Sequence, residues 1–194
     1  MSTVPKKRYT PAEYLARERA AEFRSEFFNG EMFAMAGASR QHCRIGVNLL
    51  TRIDEQLRDT PCEVFGSDMR VKVSPTGLHT YPDATIAYGE LKFEDQVVDT
   101  LLNPQVIFEV LSESTEAYDR GKKFDHYRQV DSLREYVLVS QTEPLIERYV
   151  RQSDGSWRLS VFKGLEAVLE LEGVACRLRL ADVYDRVTFE PEGA

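Results

Sequence analysis

The alternation of apolar and polar positions divides the chain into segments of different period. From Arg40 to Leu57 the apolar positions Cys43, Val47, Leu50, Ile53 and Leu57 recur at helical spacing. This predicts an amphipathic helix laid on one face of a sheet, with Arg44, Arg52 and Arg58 on its other side. From Val64 to Ser74 the pattern changes: Met69, Val71 and Val73 alternate with Arg70, Lys72 and Ser74. That is the period of a half-buried strand, ending at Pro75-Thr76-Gly77 and setting Arg70 and Lys72 on one face. Tyr81 to Tyr88 and Pro104 to Ser112 are apolar on both faces, as central strands covered by helices are. The acidic segment between them, Glu90 to Asp99, reads as a loop or short helix.

Turn and capping residues mark the other elements. Thr10-Pro11-Ala12-Glu13 supplies an N-cap, a proline at the first helical position and an acid in the first turn, so a helix runs to about Ala21. Asn29-Gly30 lies between two apolar stretches and predicts a hairpin over Ser25 to Met35, with Glu26 just before the turn. Ser114-Thr115-Glu116 opens a helix through Lys122, Lys123, Tyr127 and Val130. Arg134 to Ser140 returns as a buried strand, and Leu145 to Arg151 and Trp157 to Lys163 form a hairpin around Ser153-Asp154-Gly155-Ser156. Ala167 to Glu172 and Ala175 to Leu180 add strands near the C-terminus. This order is α/β with a central mixed β-sheet flanked by helices.

The 194 residues suit a single domain over 1–194, with no repeat or interdomain linker and with 1–8 and 191–194 as flexible tails. No apolar run approaches the roughly 20 residues of a membrane span, and basic Met1 to Arg8 leads to no apolar signal core, so a cytoplasmic location is expected. Cys43, Cys62 and Cys176 are odd in number and form no C-x-x-C pair, which predicts reduced thiols rather than disulfides or a thiolate zinc site. The formal charge of −7 argues against blanket attraction to nucleic acid. A local basic rim remains open to Arg40, Arg44, Arg70, Lys72, Arg120, Lys122 and Arg128.

The residue with the strongest chemical implication is Glu109, a carboxylate inside Val106-Ile107-Phe108-Glu109-Val110-Leu111. A charge on a buried strand costs several kcal/mol unless it is paired or binds a metal. Bland readings stand beside this one. Glu109 could pair with an arginine, Asp83 could be a turn residue after Pro82, and Glu26 could be a cross-strand partner. Lys123 could be the helical partner of Asp119 four residues earlier, and His42 a cap or polar contact.

Taken in order, Glu26 before Asn-Gly-Glu, His42, Tyr81-Pro82-Asp83, Phe108-Glu109-Val110-Leu111-Ser112, Thr115, Asp119, Lys123, Tyr127 and Glu135-Tyr136 resemble the Uma-type restriction endonuclease family of the PD-(D/E)XK superfamily. The resemblance covers about Tyr9 to Arg151. It implies a restriction-endonuclease-like core, here with additional C-terminal β-strands, and a Mg²⁺- or Mn²⁺-dependent DNA endonuclease. It implies Asp83, Glu109 and the Val110 backbone carbonyl as metal ligands, Glu26 as a supporting acid and Lys123 as the catalytic lysine. The superfamily's usual lysine, two residues after the second acid, is Leu111 here; Lys123 takes its role, with Lys72 as the fallback. Nucleic acid, DNA above all, is the implied partner, and self-association as a homodimer or higher homo-oligomer is expected beside it. Two alternatives stay open: a nuclease-fold nucleic-acid-binding protein without turnover, and a structural or regulatory homo-oligomer paired through the strands of Leu145 to Leu180.

Overall fold

The computed structural model describes residues 7–189; Met1 to Lys6 of the expected N-terminal tail and the expected tail at 191–194 lie outside them. Arg8, assigned to the N-terminal tail by sequence, is docked instead. Its guanidinium donates to the Asn29 carbonyl at 3.0 Å, and Tyr9 N–H donates to Gly30 at 2.9 Å.

The first helix, α1 (Pro11–Glu18), starts from a reciprocal capping box between Thr10 and Glu13. Strands β1 (Ser25–Phe28) and β2 (Glu31–Ala34) follow as the Asn-Gly hairpin. Asn29 at φ 48° and Gly30 at φ 81° adopt the left-handed conformations that a two-residue turn demands. Next come α2 (Arg40–Leu57), β3 (Cys62–Gly66), β4 (Arg70–Val73), β5 (Leu78–Thr80), β6 (Ala84–Tyr88), β7 (Thr100–Leu101) and β8 (Pro104–Val110). A continuous helical stretch is built from α3 (Glu116–Tyr118), a π-helical turn (Asp119–Lys123) and α4 (Phe124–Tyr127). The chain closes with β9 (Glu135–Val139), β10 (Leu145–Arg151), β11 (Trp157–Lys163), β12 (Val168–Glu170), β13 (Arg177–Arg179) and α5 (Leu180–Val183).

The central sheet has the order β11-β10-β9-β8-β6-β3 and is mixed, because β8 and β9 pair in parallel while the other neighbours are antiparallel. Alternation along β8 sends Val106, Phe108 and Val110 to one face and Ile107 and Glu109 to the other. The first face packs under α2, β12, β13 and α5 in a core with Ile45, Leu49, Ile53, Leu178 and Leu180. The second packs Ile107, Leu111, Tyr136 and Leu138 against Tyr127, Val130 and Leu133, and against Val73 and Leu78 of a second sheet, β2-β1-β5-β4-β7. Glu109 therefore points between the helical stretch and the second sheet.

Three sequence expectations are corrected. Helix α2 buries Ile45, Leu49, Ile53 and Leu57, whereas Cys43 and Val47 are exposed. The run from Val64 to Ser74 is two strands in two different sheets, separated by a turn in which Met69 N–H donates to the Gly66 carbonyl. At the C-terminus, Leu180 leaves the strand to start a helix.

On β5, His79 is fully buried, edge-on to the stacked rings of Tyr14 and Phe27, with its Nε2 2.8 Å from Glu94 and with Lys72 on the same carboxylate. Burial, outweighing Glu94 and helped by Lys72, holds its pKa below the ordinary 6.5. The unfolded chain therefore takes up a proton that the folded one resists, and stability falls as pH drops below about 6.5. Melting curves taken downward from neutrality are expected to show this slope in the wild type and a flatter one in His79→Gln.

Candidate active site

Two adjacent strands bring the acids together. Ala84 of β6 pairs with Phe108 of β8, and continuing that antiparallel register by one step sets Asp83 opposite Glu109. Asp83 is fixed at both oxygens: Oδ2 accepts from Val110 N–H at 2.6 Å and Oδ1 from His42 Nε2 at 2.8 Å. His42 sits in the first turn of α2, whose N-cap Ser39 Oγ accepts from the His42 N–H. Burial works against the imidazolium, but the Asp83 carboxylate outweighs it and the His42 pKa rises.

Glu109 is 4% exposed, and its Oε1 receives both the Tyr127 hydroxyl and the Lys123 ammonium, each at 2.8 Å. Among the described residues no hydrogen-bond donor reaches its Oε2. Burial pushes the Glu109 carboxyl well above the ordinary carboxylate range, with Lys123 pulling in the opposite direction.

Lys123 comes from the helical stretch. Asp119, Lys123 and Tyr127 are spaced by four and line one side of it, and the π-helical turn lies in that span. Besides Glu109, the Lys123 ammonium lies 3.4 Å from Asp119 and 3.5 Å from Glu26. Burial opposes its charge, yet the three carboxylates hold its pKa well above the usual lysine value. Glu26 arrives on β1, where the Phe27–His79 pairing sets it beside Thr80, whose hydroxyl donates to it. Burial and the nearby Glu26 push the Tyr118 hydroxyl up to about 12, so it stays a neutral phenol.

The candidate residues Glu26, Asp83, Glu109 and Lys123 thus converge. The i,i+4 contact between Asp119 and Lys123 exists as well, so the helix-pair contact stands beside the contact with Glu109. Sequence reasoning left Asp119, Tyr127 and His42 as minor parts, although all three touch the central groups. Their signal was the four-residue spacing on one helix and a histidine in the first turn of another. Lys72 is elsewhere, bound to Glu94 beside His79. Four of the seven expected rim cations, Lys72 among them, are held by other carboxylates. Arg70 is buried against Asp99, Tyr81 and Thr100, Arg120 pairs with Glu116 and Glu147, and Arg128 pairs with Asp125. Leu111 is 4% exposed and packs with Tyr127 and Leu138, so the usual lysine position belongs to the core.

The charge balance of this cluster leaves room for a hard cation. Four carboxylates, Glu26, Asp83, Glu109 and Asp119, face Lys123 and His42, and the buried Asp119 Oδ1 meets the Lys123 ammonium at 3.4 Å. Among the described residues no group of three or more His, Cys, Asp or Glu side chains is arranged as a metal cage. Such a set suits an ion that takes two carboxylates and completes its shell with carbonyl, water and phosphate oxygens.

Residues 11–181 match the Uma2 family model, described as "Putative restriction endonuclease". The "Uncharacterized protein sll1609" of Synechocystis sp. is 38% identical over 161 residues, covering 83% of this chain and 91% of that one. The "Uncharacterized protein slr1290" of the same organism is 32% identical over 187 residues, covering 96% and 97%. Among solved structures, "a putative nuclease belonging to DUF820" from Anabaena variabilis superposes with a TM-score of 0.76 at 18% identity, covering 93% of this chain and 99% of that one. The last likeness concerns the fold.

Proposed function

Because the chain belongs to the Uma2 family, whose model spans it from residue 11 to 181, we propose that it is a divalent-metal-dependent DNA endonuclease. The observation that carries this reading is the apposition of Asp83 and Glu109 on adjacent strands, with the Lys123 ammonium 2.8 Å from Glu109. Asp83 and Glu109, with the Val110 carbonyl, would hold Mg²⁺ or Mn²⁺. When bound, the ion would polarise the scissile phosphate and offset charge on the leaving oxygen.

The chain's own residues perform the rest. His42 and the Val110 N–H hold the Asp83 carboxylate in one orientation, so its ligand geometry is prepared in advance. Tyr127 does the same for Glu109. Lys123 stays protonated and offers a fixed positive charge to the pentacoordinate phosphate, a stabilisation that is strongest where water is excluded. Glu26, between Thr80 and Lys123, is the group available to orient an attacking water.

Supercoiled and single-stranded DNA incubated with Mg²⁺ or Mn²⁺ are the test substrates, with EDTA and the Glu109→Ala variant as controls. Cleavage that needs both the metal and Glu109 is the expected result. No cleavage under any condition, alongside a metal-induced rise in melting temperature, would replace the nuclease with a binding protein on the same fold. The homodimer is proposed on strand β11, an edge of the central sheet with exposed Leu159 and Val161; sedimentation of the wild type and a Val161→Lys variant tests it.

A further inference from the structure

Helix α1 braces the strand that supplies Glu26, through side chains with no part in the site described above. Carried on from the Phe27–His79 pair, the β1–β5 register sets Glu26 opposite Thr80 and would set Ser25 opposite Tyr81. On its other side β1 pairs with β2, where the Arg24 carbonyl receives the Met35 N–H at 3.0 Å. Backbone groups alternate in direction along a strand, so the Ser25 N–H and carbonyl point away from β2, toward the Tyr81 segment. The ladder stops there, because β5 ends at Thr80 and Tyr81-Pro82-Asp83 carries the chain into β6 of the central sheet. Two side chains of α1 take the place of the missing rung. Glu18 Oε1 accepts the Ser25 N–H at 2.8 Å, and the Tyr14 hydroxyl donates to the Ser25 carbonyl at 2.7 Å.

The same Glu18 oxygen serves both departing segments. It also accepts the Tyr81 hydroxyl at 2.8 Å, and buried Arg70 donates to that hydroxyl at 2.8 Å, which leaves the phenol proton to Glu18. Glu18 is 8% exposed and its Oε2 is buried without a hydrogen bond. An unmet buried carboxylate oxygen lowers stability, so packing alone does not account for an acid at this position. What Glu18 supplies is geometry. Ser25 and Tyr81 are the chain neighbours of Glu26 and Thr80, and the Thr80 hydroxyl donates to Glu26. Asp83 has fixings of its own in Val110 N–H and His42, whereas the Glu26 carboxylate has Thr80 and Lys123. Resting on the nuclease reading above, we propose that Glu18 is a positioning residue: it ties Ser25 to Tyr81 where the ladder ends, and so holds Glu26 at the place from which it orients the attacking water.

The test compares Glu18→Ala with Glu18→Gln, whose amide oxygen still accepts both donors, each alone and combined with Glu26→Gln, in steady-state cleavage of DNA by the full chain with Mg²⁺. The expected result is a kcat about tenfold to a hundredfold lower in Glu18→Ala, with KM and calorimetric Mn²⁺ affinity within about twofold of the wild type, and a kcat within about threefold in Glu18→Gln. Because Glu18 acts through Glu26, Glu18→Ala should cost the Glu26→Gln protein little more, whereas a general loss of folded enzyme would lower both backgrounds equally. Tyr81→Phe keeps the ring and removes one donor; it should lower kcat in the same pattern, and it decides the matter if Glu18→Ala does not fold. Full additivity with Glu26→Gln, or a wild-type kcat in Glu18→Ala, would overturn the proposal. Placement is also read without turnover: in protein labelled with carboxyl-¹³C glutamate, the Glu26 resonance should move in Glu18→Ala and stay in Glu18→Gln, and an unmoved resonance in Glu18→Ala would overturn the brace. A wild type that cuts nothing with either metal therefore sinks the nuclease reading separately.

Discussion

Asp83→Asn is expected to lower Mg²⁺-dependent DNA cleavage by at least about a hundredfold while leaving the melting temperature almost unchanged. The two effects separate because of what Asp83 touches. Its carboxylate is one of two at the proposed ion position, and losing a formal ligand charge costs more than the ten- to hundredfold typical of outer-shell changes. For folding, the asparagine carbonyl still accepts the Val110 N–H, and one negative charge leaves a cluster holding four carboxylates. Calorimetric titration with Mn²⁺, thermal melting and cleavage on one preparation check all three. Wild-type cleavage by Asp83→Asn would remove the metal site from between these strands.

Much of this site was legible because its residues break local patterns. Glu109 interrupts an apolar run, and its strand is buried as that run predicts. The Asn-Gly turn fixed the hairpin, and with it the face that Glu26 occupies. Lys123 was ambiguous, since its spacing from Asp119 satisfies an ordinary helix pair and only the approach of the helix to β8 decides that it also meets Glu109. The π-helical turn left no trace in the composition.

The errors have physical causes too. Helix α2 carries two apolar stripes of equal period, and choosing Cys43 and Val47 over Ile45 and Leu49 needed knowledge of what packs above the sheet. The split between β3 and β4 was signalled by Gly66-Ser67-Asp68, a turn composition that the alternation on its far side masked. Arg70 and Lys72 do occupy neighbouring same-face positions, but the acidic segment between β6 and β7 folds over them. Asp99 takes Arg70 and Glu94 takes Lys72. Charges that looked available for phosphate were already matched by carboxylates 22 to 29 residues away in sequence.

Lys123→Met is expected to destabilise the fold by about 3–5 kcal/mol, the cost of removing one partner from a buried ion pair. The methionine fills much of the same space, so the loss is electrostatic rather than a cavity. Glu109, Asp119 and Glu26 would then share a buried region with no ammonium among them. Two consequences distinguish this from a packing defect. The double variant Lys123→Met, Glu109→Gln should recover a large part of the loss, because the remaining carboxylates are fewer and Tyr127 keeps an oxygen to donate to. Added Mg²⁺ should raise the melting temperature of the single variant more than that of the wild type, since the ion then supplies the missing positive charge. Cleavage by the single variant should fall about a hundredfold or more even at saturating metal, because a second ion-bound charge does not stand where the ammonium meets the phosphate. Urea melts with and without Mg²⁺ measure the first two effects, and a Lys123→Met protein as stable as the wild type in EDTA would show that the ammonium does not hold this cluster together.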